Sequence, residues 1–229
     1  MRSRPTARRR RSTAAAHLET LLWRVGIRHV AGVDEVGMGP LAGPVVAAAV
    51  ILPEGTEIDG VADSKILTAR DRTAHDAVIR ARALAIGVSV VEADEIDRVN
   101  IYQAGLLACR RAVEALAPVP GYVLVDGREI PGLPMPQSAY PKGDGFVSSI
   151  AAASIVAKVY RDALMCALDE SFPAYGFARH MGYSTAAHLR ALRDHGPSPA
   201  HRRSFAPVRA ALGLPTEPEL PFAVAADPL

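Results

Sequence analysis

The chain has 229 residues, of which 49% are hydrophobic, so it is long enough to bury the core of one full domain. Its formal net charge is +2, but six arginines lie among residues 2–11, and the rest of the chain carries −4. No run of about 18 apolar residues is present, which argues against a membrane span. We therefore expect a cytoplasmic globular protein without a membrane partner, with a monomer as the default state.

The two ends of the chain differ in composition from its body. Residues 1–12 are rich in arginine and contain no acidic residue, which is typical of a disordered arm that attracts phosphate without sequence preference. A solvated tail without function explains the same composition equally well. The prolines within residues 213–229 predict a loose tail. Cys109 and Cys166 lack the spacing of metal ligands and are expected to be buried thiols in a reducing compartment.

Hydrophobic periodicity and capping residues predict the elements of the first half of the chain. In chain order these are a helix from Ser12 or Thr13 to about Val25, strands at 30–34 and 45–52, a helix from Thr68 to about Arg82, a strand at 83–91 and a long amphipathic helix at 93–117. The helix after Thr68 is supported by the capping-box spacing of Thr68 and Asp71.

The second half is predicted by the same rules. Its elements are a buried strand at 122–125, a proline-rich loop at 131–141 with room for a brief strand, a buried helix at 146–168, a helix at 185–194 and a small helical tail at 197–210. Strands and helices in this order indicate an α/β fold, with a mixed sheet flanked by helices.

Asp34 and Glu35 are adjacent at the end of an apolar strand, just before a turn that contains Gly37, Gly39 and Gly43. Carboxylates this close raise each other's proton affinity unless a cation lies between them, and a divalent metal is the simplest solution. The glycine spacing misses the dinucleotide fingerprint by one residue, and no P-loop sequence follows. A solvated Asp-Glu turn is the plain alternative, but its position between two apolar strands favours a site.

Two further acids lie at suggestive positions. Asp126 ends the buried strand, and Asp144 precedes the buried helix. Each alone is compatible with an ordinary turn. Together with Asp34 and Glu35 they would supply the four carboxylates that two Mg²⁺ or Mn²⁺ ions need for in-line phosphodiester displacement.

At these positions the chain resembles type 2 ribonuclease H (ribonuclease HII), from about Gly26 to Val208. The matching segments are GVDEVG at 32–37, GPLAGPVVA at 39–47, DSK at 63–65, VDG at 125–127, KGD at 142–144, SIAAASIVAKV at 149–159, HGP at 195–197 and HRRSF at 201–205. The resemblance implies an RNase H-like catalytic domain at 13–178 and a helical C-terminal extension at 179–212.

The resemblance also implies an activity and a set of site residues. Such enzymes cut RNA in RNA–DNA hybrids, including single ribonucleotides embedded in duplex DNA, and leave 3′-hydroxyl and 5′-phosphate ends. The catalytic and metal-binding positions of the family match Asp34, Glu35, Asp126 and Asp144. Its substrate contacts match Gly37, Met38, Gly39, Ser64, Lys65, Asn100 and Tyr183, with the tyrosine packing against the sugar of the reactive ribonucleotide. Asp162 matches a recurrent position, for which we expect a structural pairing with Lys158.

Three positions depart from the pattern of the family. Met38 replaces an arginine, and Ile66 and Met181 each replace a lysine, so three positive charges are lost near the expected phosphates. Such losses would weaken binding and lower its salt dependence. They motivate a second hypothesis, a hybrid-binding paralogue with weak or lost turnover. A third hypothesis, a nuclease redirected to DNA, is opposed by Tyr183 and the intact glycines.

Overall fold

A computed structural model describes residues 17–56 and 67–215. The helices are α1 (His17–Arg24), α2 (Ala69–Arg82), α3 (Ala93–Val99), α4 (Ile101–Glu114), α5 (Ser148–Ser171), α6 (Phe177–His180), α7 (Ala186–His195) and α8 (Ala206–Ala211). The strands are β1 (Val30–Val36), β2 (Val45–Ile51), β3 (Ala85–Val91), β4 (Tyr122–Asp126) and β5 (Gln137–Tyr140), and a 3₁₀ turn spans Gly143–Gly145. In these residues, no helix has the length and apolar character to cross a membrane.

The five strands form one mixed sheet in the order β3-β2-β1-β4-β5. The strand β2 pairs antiparallel with both β1 and β3, whereas β4 runs parallel to both β1 and β5. Because β1 occupies the centre of the sheet, Ala31, Gly32 and Val33 pair with β2 on one side and with β4 on the other. The mixed sheet flanked by helices that the sequence predicted is confirmed.

Helices cover both faces of the sheet, which explains why the strand sequences are apolar without alternation. On β2, Val45, Ala47 and Ala49 pack with the cluster beneath α4. The intervening Val46 and Ala48 pack with the cluster beneath α5. The end of β1 therefore lies between two buried layers, and a charged side chain there is removed from water unless a cleft opens beside it.

Most predicted elements agree with the structure to within two or three residues, but the long helix predicted at 93–117 is wrong. The chain forms α3 and α4 instead, because Asn100 adopts a left-handed φ of 70° between them. Its Oδ1 accepts a hydrogen bond from the Gln103 amide at 3.0 Å, which caps the second helix. With φ of 70° and ψ of 161°, Asn100 lies outside the helical region, so the first helix ends there and its side chain caps the second.

Three smaller expectations also fail or lie outside the described residues. The tail predicted as helical from 197 to 210 is helical only in α8, and neither α6 nor the 3₁₀ turn was predicted. Cys109 is buried as expected, whereas Cys166 is exposed on α5. The arm at 1–12 and all but the first three residues of the tail at 213–229 lie outside the described part of the chain.

The contact between β1 and α5 leaves no room for a side chain at Gly32. A Cβ there would lie 2.1 Å from the backbone carbon of Ser149 and 2.2 Å from the nitrogen of Ile150. We expect Gly32→Ala to lower the free energy of unfolding by about 3 kcal/mol, since backbone atoms cannot move aside. Chemical denaturation measures this loss. Gly145→Ala is the control, because nothing lies within 4 Å of its Cβ position; equal stability of both variants would contradict the close approach.

Candidate active site at the carboxylate end of the sheet

The register of the two central parallel strands brings Asp34 and Asp126 together. Val33 of β1 lies opposite Val125 of β4, so the two aspartates follow side by side. The strand β4 ends at Asp126, whereas β1 continues to Val36 while paired with β2. Two acids that are 92 residues apart in the sequence numbering therefore meet at one edge of the sheet.

Asp34 and Glu35 reach this edge from opposite faces of β1. The sequence predicted that the strand ends at Asp34, but β1 continues to Val36. Neighbouring side chains on a continuous strand point to opposite sides. The Ser154 side chain of α5 hydrogen-bonds Asp34. On the other face, Cys109 of α4 lies with its Sγ 3.7 Å from Glu35 Oε2. The two acids flank the end of the strand, each held by a different helix.

Asp144 is brought close by the 3₁₀ turn that follows β5. The Gly143 amide donates a hydrogen bond of 2.6 Å to Asp126 Oδ1, which ties the turn to the end of β4. Asp144 itself is only 5% exposed, and its charge acts on Asp34. The structure therefore brings all four predicted carboxylates into one neighbourhood.

A cavity of about 360 Å³ opens at this group of carboxylates. Its lining residues are Asp34, Glu35, Val36, Arg72, Asp126, Ser154, Lys158 and Tyr183. We call it the tyrosine cleft. It contains three of the four predicted carboxylates, the predicted tyrosine and two basic side chains, so acidic groups and cations face the same space.

Burial and mutual repulsion raise the proton affinity of the acids. The pKa of Asp34 lies well above its usual value, first because of burial and then because of the charge of Glu35, with smaller effects of Asp126 and Asp144. The pKa of Glu35 is also raised, first by burial and then by Asp126. A positive charge in the cleft would offset both effects.

The donor set fits a hard divalent cation. Carboxylate oxygens are the ligands that Mg²⁺ and Mn²⁺ prefer. Within residues 17–56 and 67–215, no three Asp, Glu, His or Cys side chains already stand in an arrangement that holds an ion. Mg²⁺ commonly uses one or two protein carboxylates and completes its coordination with waters and substrate phosphate oxygens.

The glycine turn beside the cleft is held from below by a buried arginine. Arg202 is fully buried and donates five hydrogen bonds of 2.6–3.2 Å to four backbone carbonyls. The acceptors are Gly37, Met38, Pro40 and Gly43. Burial, and then the neighbouring Arg161, lower the pKa of Arg202 to about 9, so it still carries its charge at neutral pH. The guanidinium fork thus fixes the path of the whole turn.

A second buried arginine joins the turn to the segment that carries the tyrosine. Arg161 of α5 donates to the carbonyls of Pro44 at 2.9 Å and Met181 at 3.1 Å. The Leu41 amide donates to the Gly182 carbonyl at 2.8 Å. A Cβ at Gly182 would lie 2.4 Å from the Ala42 oxygen, so only glycine permits this approach. The turn and residues 181–183 therefore form one rigid unit.

Tyr183 projects from that unit into the cleft. Its side chain is 45% exposed, and its Cε1 lies 3.6 Å from where a Gly39 Cβ would be. Tyr183 is therefore not a core residue. Its carbonyl oxygen is 2.9 Å from His188 Nδ1, and His188 Nε2 is 3.0 Å from His201 Nε2. Two buried histidines, one in α7 and one shortly before α8, thus support the tyrosine backbone.

The other predicted contact residues have mixed positions. The Met38 sulfur lies 2.9 Å from a Cβ built on Gly105, so this side chain packs on α4. Asn100 is exposed and caps α4. Asp162 pairs with Lys158 at 2.6 Å, as expected, and also lies 3.8 Å from Arg72. Ser64, Lys65 and Ile66 lie outside the described residues.

The sequence analysis assigned no role to Arg161, Arg202, His188 or His201. Arg161 had no clear local signal, since it lies in the partly exposed half of α5, close to the charged residues Lys158 and Asp162. Arg202 and His201 belong to a matched segment, HRRSF, but nothing local shows that the first arginine points inwards and the second outwards. The side chain of Arg202 contacts the turn, about 160 residues earlier in the chain, and only the tertiary structure shows this.

The mixed sheet and its acidic cleft define the class, an RNase H-like α/β nuclease fold. Residues 31–208 match the family model of ribonuclease HII, and the chain belongs to this family. It is 56% identical to ribonuclease HII of Myxococcus xanthus over 199 residues, which cover 86% of this chain and 68% of that protein. It is 55% identical to ribonuclease HII of Geobacter sulfurreducens over 190 residues, which cover 83% of this chain and 88% of that protein.

A solved structure agrees with this assignment. The crystal structure of ribonuclease H2 from Pyrococcus horikoshii superposes with a TM-score of 0.70 at 26% identity, covering 80% of this chain and 96% of that one. The family resemblance stated from the sequence motifs is therefore confirmed. As a member of the family, the chain is a metal-dependent endoribonuclease of the RNase H type that acts on RNA–DNA hybrids.

The role of Arg202 can be tested against its neighbour. We expect Arg202→Lys to lower the free energy of unfolding by about 3 kcal/mol, because one ammonium group cannot satisfy four buried carbonyls that a planar fork reaches. Arg203→Lys is the matched control, since Arg203 is exposed and should change stability by less than about 0.5 kcal/mol. Similar denaturation midpoints for both variants would show that the turn does not depend on the fork.

The repulsion between the carboxylates has its own signature in metal-free protein. An acid whose pKa is raised on folding loses stability as pH rises from its unfolded pKa through its folded pKa. We therefore expect Asp34→Asn to stabilise the metal-free protein at pH 7 by on the order of 1 kcal/mol, with the gain shrinking towards about pH 4. Denaturation across this pH range measures the effect.

Asp162→Asn serves as the control for this experiment. Asp162 is a carboxylate that already pairs with Lys158, so its removal should not stabilise the protein. A stability gain of the same size in both variants would mean that the surplus of negative charge in the cleft is not the cause.

Proposed function

We propose that Asp34, Glu35, Asp126 and Asp144 hold Mg²⁺ or Mn²⁺ and that the chain cuts the RNA strand to leave 3′-hydroxyl and 5′-phosphate ends. The observation that supports this proposal most directly is the shared cleft. Three of these carboxylates line it, and the charge of the fourth acts on Asp34. When bound there, divalent ions would activate water for in-line attack and stabilise the leaving oxygen.

The residues of the chain prepare the carboxylates for this task. The Gly143 amide orients Asp126, the Glu35 amide donates to Asp34 Oδ1 at 2.8 Å, and Cys109 contacts Glu35. These contacts limit the rotation of each carboxylate before substrate arrives. Lys158 and Arg72, which line the same cleft, are placed to attract a phosphate without neutralising all of the acids.

The glycine turn supplies polar groups for the substrate. The C=O and N–H groups that share a trans peptide point in opposite directions. Since the carbonyls of Gly37 and Met38 face the buried Arg202, the amides of Met38 and Gly39 point away from it. The neighbouring Leu41 amide obeys the same rule and reaches Gly182. The turn can therefore bind through its backbone even though position 38 carries no arginine.

We further propose that substrates include single ribonucleotides embedded in duplex DNA. The ring of Tyr183 stands beside Gly39 at the edge of the cleft, where a ribose can pack on the ring while the amides of the turn contact its 2′-hydroxyl. The 2′-hydroxyl is the group that distinguishes RNA from DNA. One ribonucleotide is enough to fill such a site.

The alternatives raised by the sequence find less support. The losses of charge at Met38 and Met181 leave the carboxylates untouched, and the family assignment favours an enzyme over a hybrid-binding paralogue. A DNA-specific nuclease would not need a tyrosine ring and turn amides that contact the ribose, because DNA lacks the 2′-hydroxyl. We further place the enzyme in the cytoplasm as a monomer.

The catalytic assignment is tested by Asp126→Asn. The substitution keeps the oxygen that accepts from Gly143 but removes the charge, so we expect cleavage of a ribonucleotide-containing duplex to fall at least about 10³-fold with folding retained. Single-turnover assays with Mg²⁺ and then Mn²⁺ provide the measurement. Cleavage at the parent rate would exclude the assignment, and tight binding without product by the parent would favour the paralogue.

The role of Tyr183 is tested by comparing two substitutions. Tyr183→Ala should lower kcat/KM on an embedded ribonucleotide by about 100-fold, because the sugar loses the surface that orients it. Tyr183→Phe keeps the ring and should retain most of the activity. If alanine and phenylalanine behave alike, the ring does not pack against the sugar.

A further inference from the structure

We propose that Arg128 binds a backbone phosphate of the cut strand, next to the scissile phosphate and on the side away from Tyr183. Arg128 borders a cavity of about 200 Å³, which we call the Tyr102 pocket. Its lining residues are Glu35, Met38, Tyr102, Gly105, Leu106, Cys109, Val125, Asp126, Gly127 and Arg128. The inference rests on the proposed function, because it assigns a further contact to the strand whose ribose lies in the tyrosine cleft.

The Tyr102 pocket adjoins the tyrosine cleft at the catalytic carboxylates. Glu35 and Asp126 line both cavities, whereas Tyr183 lines only the cleft and Arg128 only the pocket. A strand whose scissile phosphate lies at the carboxylates runs on in both directions from that phosphate, so one direction passes Arg128. The phosphates form the outer edge of a duplex, and a contact with one of them leaves every base paired. Such contacts fix the register of a protein on its duplex.

The charge of Arg128 is available to a phosphate. Its side chain is exposed, and it forms no salt bridge with any residue of ranges 17–56 and 67–215. Burial and the charge of Asp126 each raise the pKa of Glu35 more than the charge of Arg128 lowers it. Arg128 is therefore close to the carboxylates without being paired to one of them. Divalent cations bound there would weaken its attraction to the acids further.

Two contacts fix the direction of Arg128. Its backbone amide donates to the Asp126 carbonyl at 3.0 Å, which closes a turn at the end of β4. Its guanidinium carbon lies over the ring of Tyr102, 4.6 Å from the ring centre. A cation–π contact of this kind uses the face of the guanidinium and leaves its N–H groups free for a phosphate. The protein therefore presents an oriented cation instead of a freely rotating side chain.

The departure at position 38 lies in the same pocket. Met38 replaces the arginine expected in the glycine turn, and its sulfur lies 2.9 Å from a Cβ built on Gly105. Both Met38 and Arg128 line the Tyr102 pocket. The positive charge that the turn lacks is therefore present elsewhere on the wall of that cavity, and a phosphate beyond the carboxylates still meets one guanidinium.

Equilibrium binding separates this contact from catalysis. Fluorescence anisotropy across a salt series gives the Kd of a duplex with one embedded ribonucleotide, for proteins in the Asp34→Asn background. Arg128→Gln should raise Kd about fivefold and lower the salt slope of binding by about one, whereas Arg128→Lys should keep the slope. Arg28→Gln is the control and should change neither value. Arg28 is also exposed, but it precedes β1 at the end of the strand opposite the carboxylates.

Neutral phosphates locate the contact. A methylphosphonate replaces, one at a time, each phosphate of the cut strand near the scissile one. At one position, beyond the scissile phosphate from the ribonucleotide, the neutral group should raise Kd about fivefold when Arg128 is present and should cause no further loss in Arg128→Gln. Tyr102→Ala should raise Kd about threefold with an unchanged salt slope, since it removes one exposed cation–π contact but no charge.

Two results would overturn the inference. One is a salt slope that Arg128→Gln leaves unchanged. The other is a loss in Arg128→Gln that adds to the loss from methylphosphonate at every position, which would mean that Arg128 acts on the carboxylates and not on a phosphate. Failure of the proposed function has a different signature, because the parent protein with Mg²⁺ or Mn²⁺ would then leave the duplex uncut whatever the Arg128 variants bind.

Discussion

The structure depends on the concentration of negative charge at the end of the central strand. The register of β1 and β4 sets Asp34 beside Asp126. Asp34 and Glu35 lie on opposite faces of β1, where Asp34 contacts α5 and Glu35 contacts α4. Burial makes this arrangement costly, as the raised pKa values of both acids show. Such a cost is expected at a functional site, where the folded protein tolerates repulsion that a bound cation relieves.

Two buried arginines, one in α5 and one shortly before α8, position the glycine turn. Arg202 and Arg161 direct the carbonyls of the glycine turn inwards, so that amides of the turn point outwards by the geometry of the peptide bond. The same contacts fix Tyr183 relative to Gly39. A turn rich in glycine would otherwise be flexible. Two buried cations, each bonded to carbonyls, make it rigid.

Much of this could be predicted from local sequence. The strands around Asp34 and Asp126, the Thr68 cap and the buried helix carry strong local patterns, and motif spacing identified the family. The break at Asn100 could not be found from periodicity, because the apolar pattern continues through it and a single left-handed residue ends the helix. The inward course of Arg202 and the packing of Met38 on Gly105 also escaped prediction, since both depend on partners that are distant in the chain.

The central claim is that the gathered carboxylates hold divalent cations, and it can be tested without substrate. A ligand that binds only the folded state raises its stability in proportion to the logarithm of ligand concentration. Thermal unfolding at pH 7 should therefore show a Tm that climbs with added Mn²⁺ in the parent and hardly moves in Asp126→Asn. A parent Tm that is insensitive to Mn²⁺, or an equal rise in both proteins, would contradict the account.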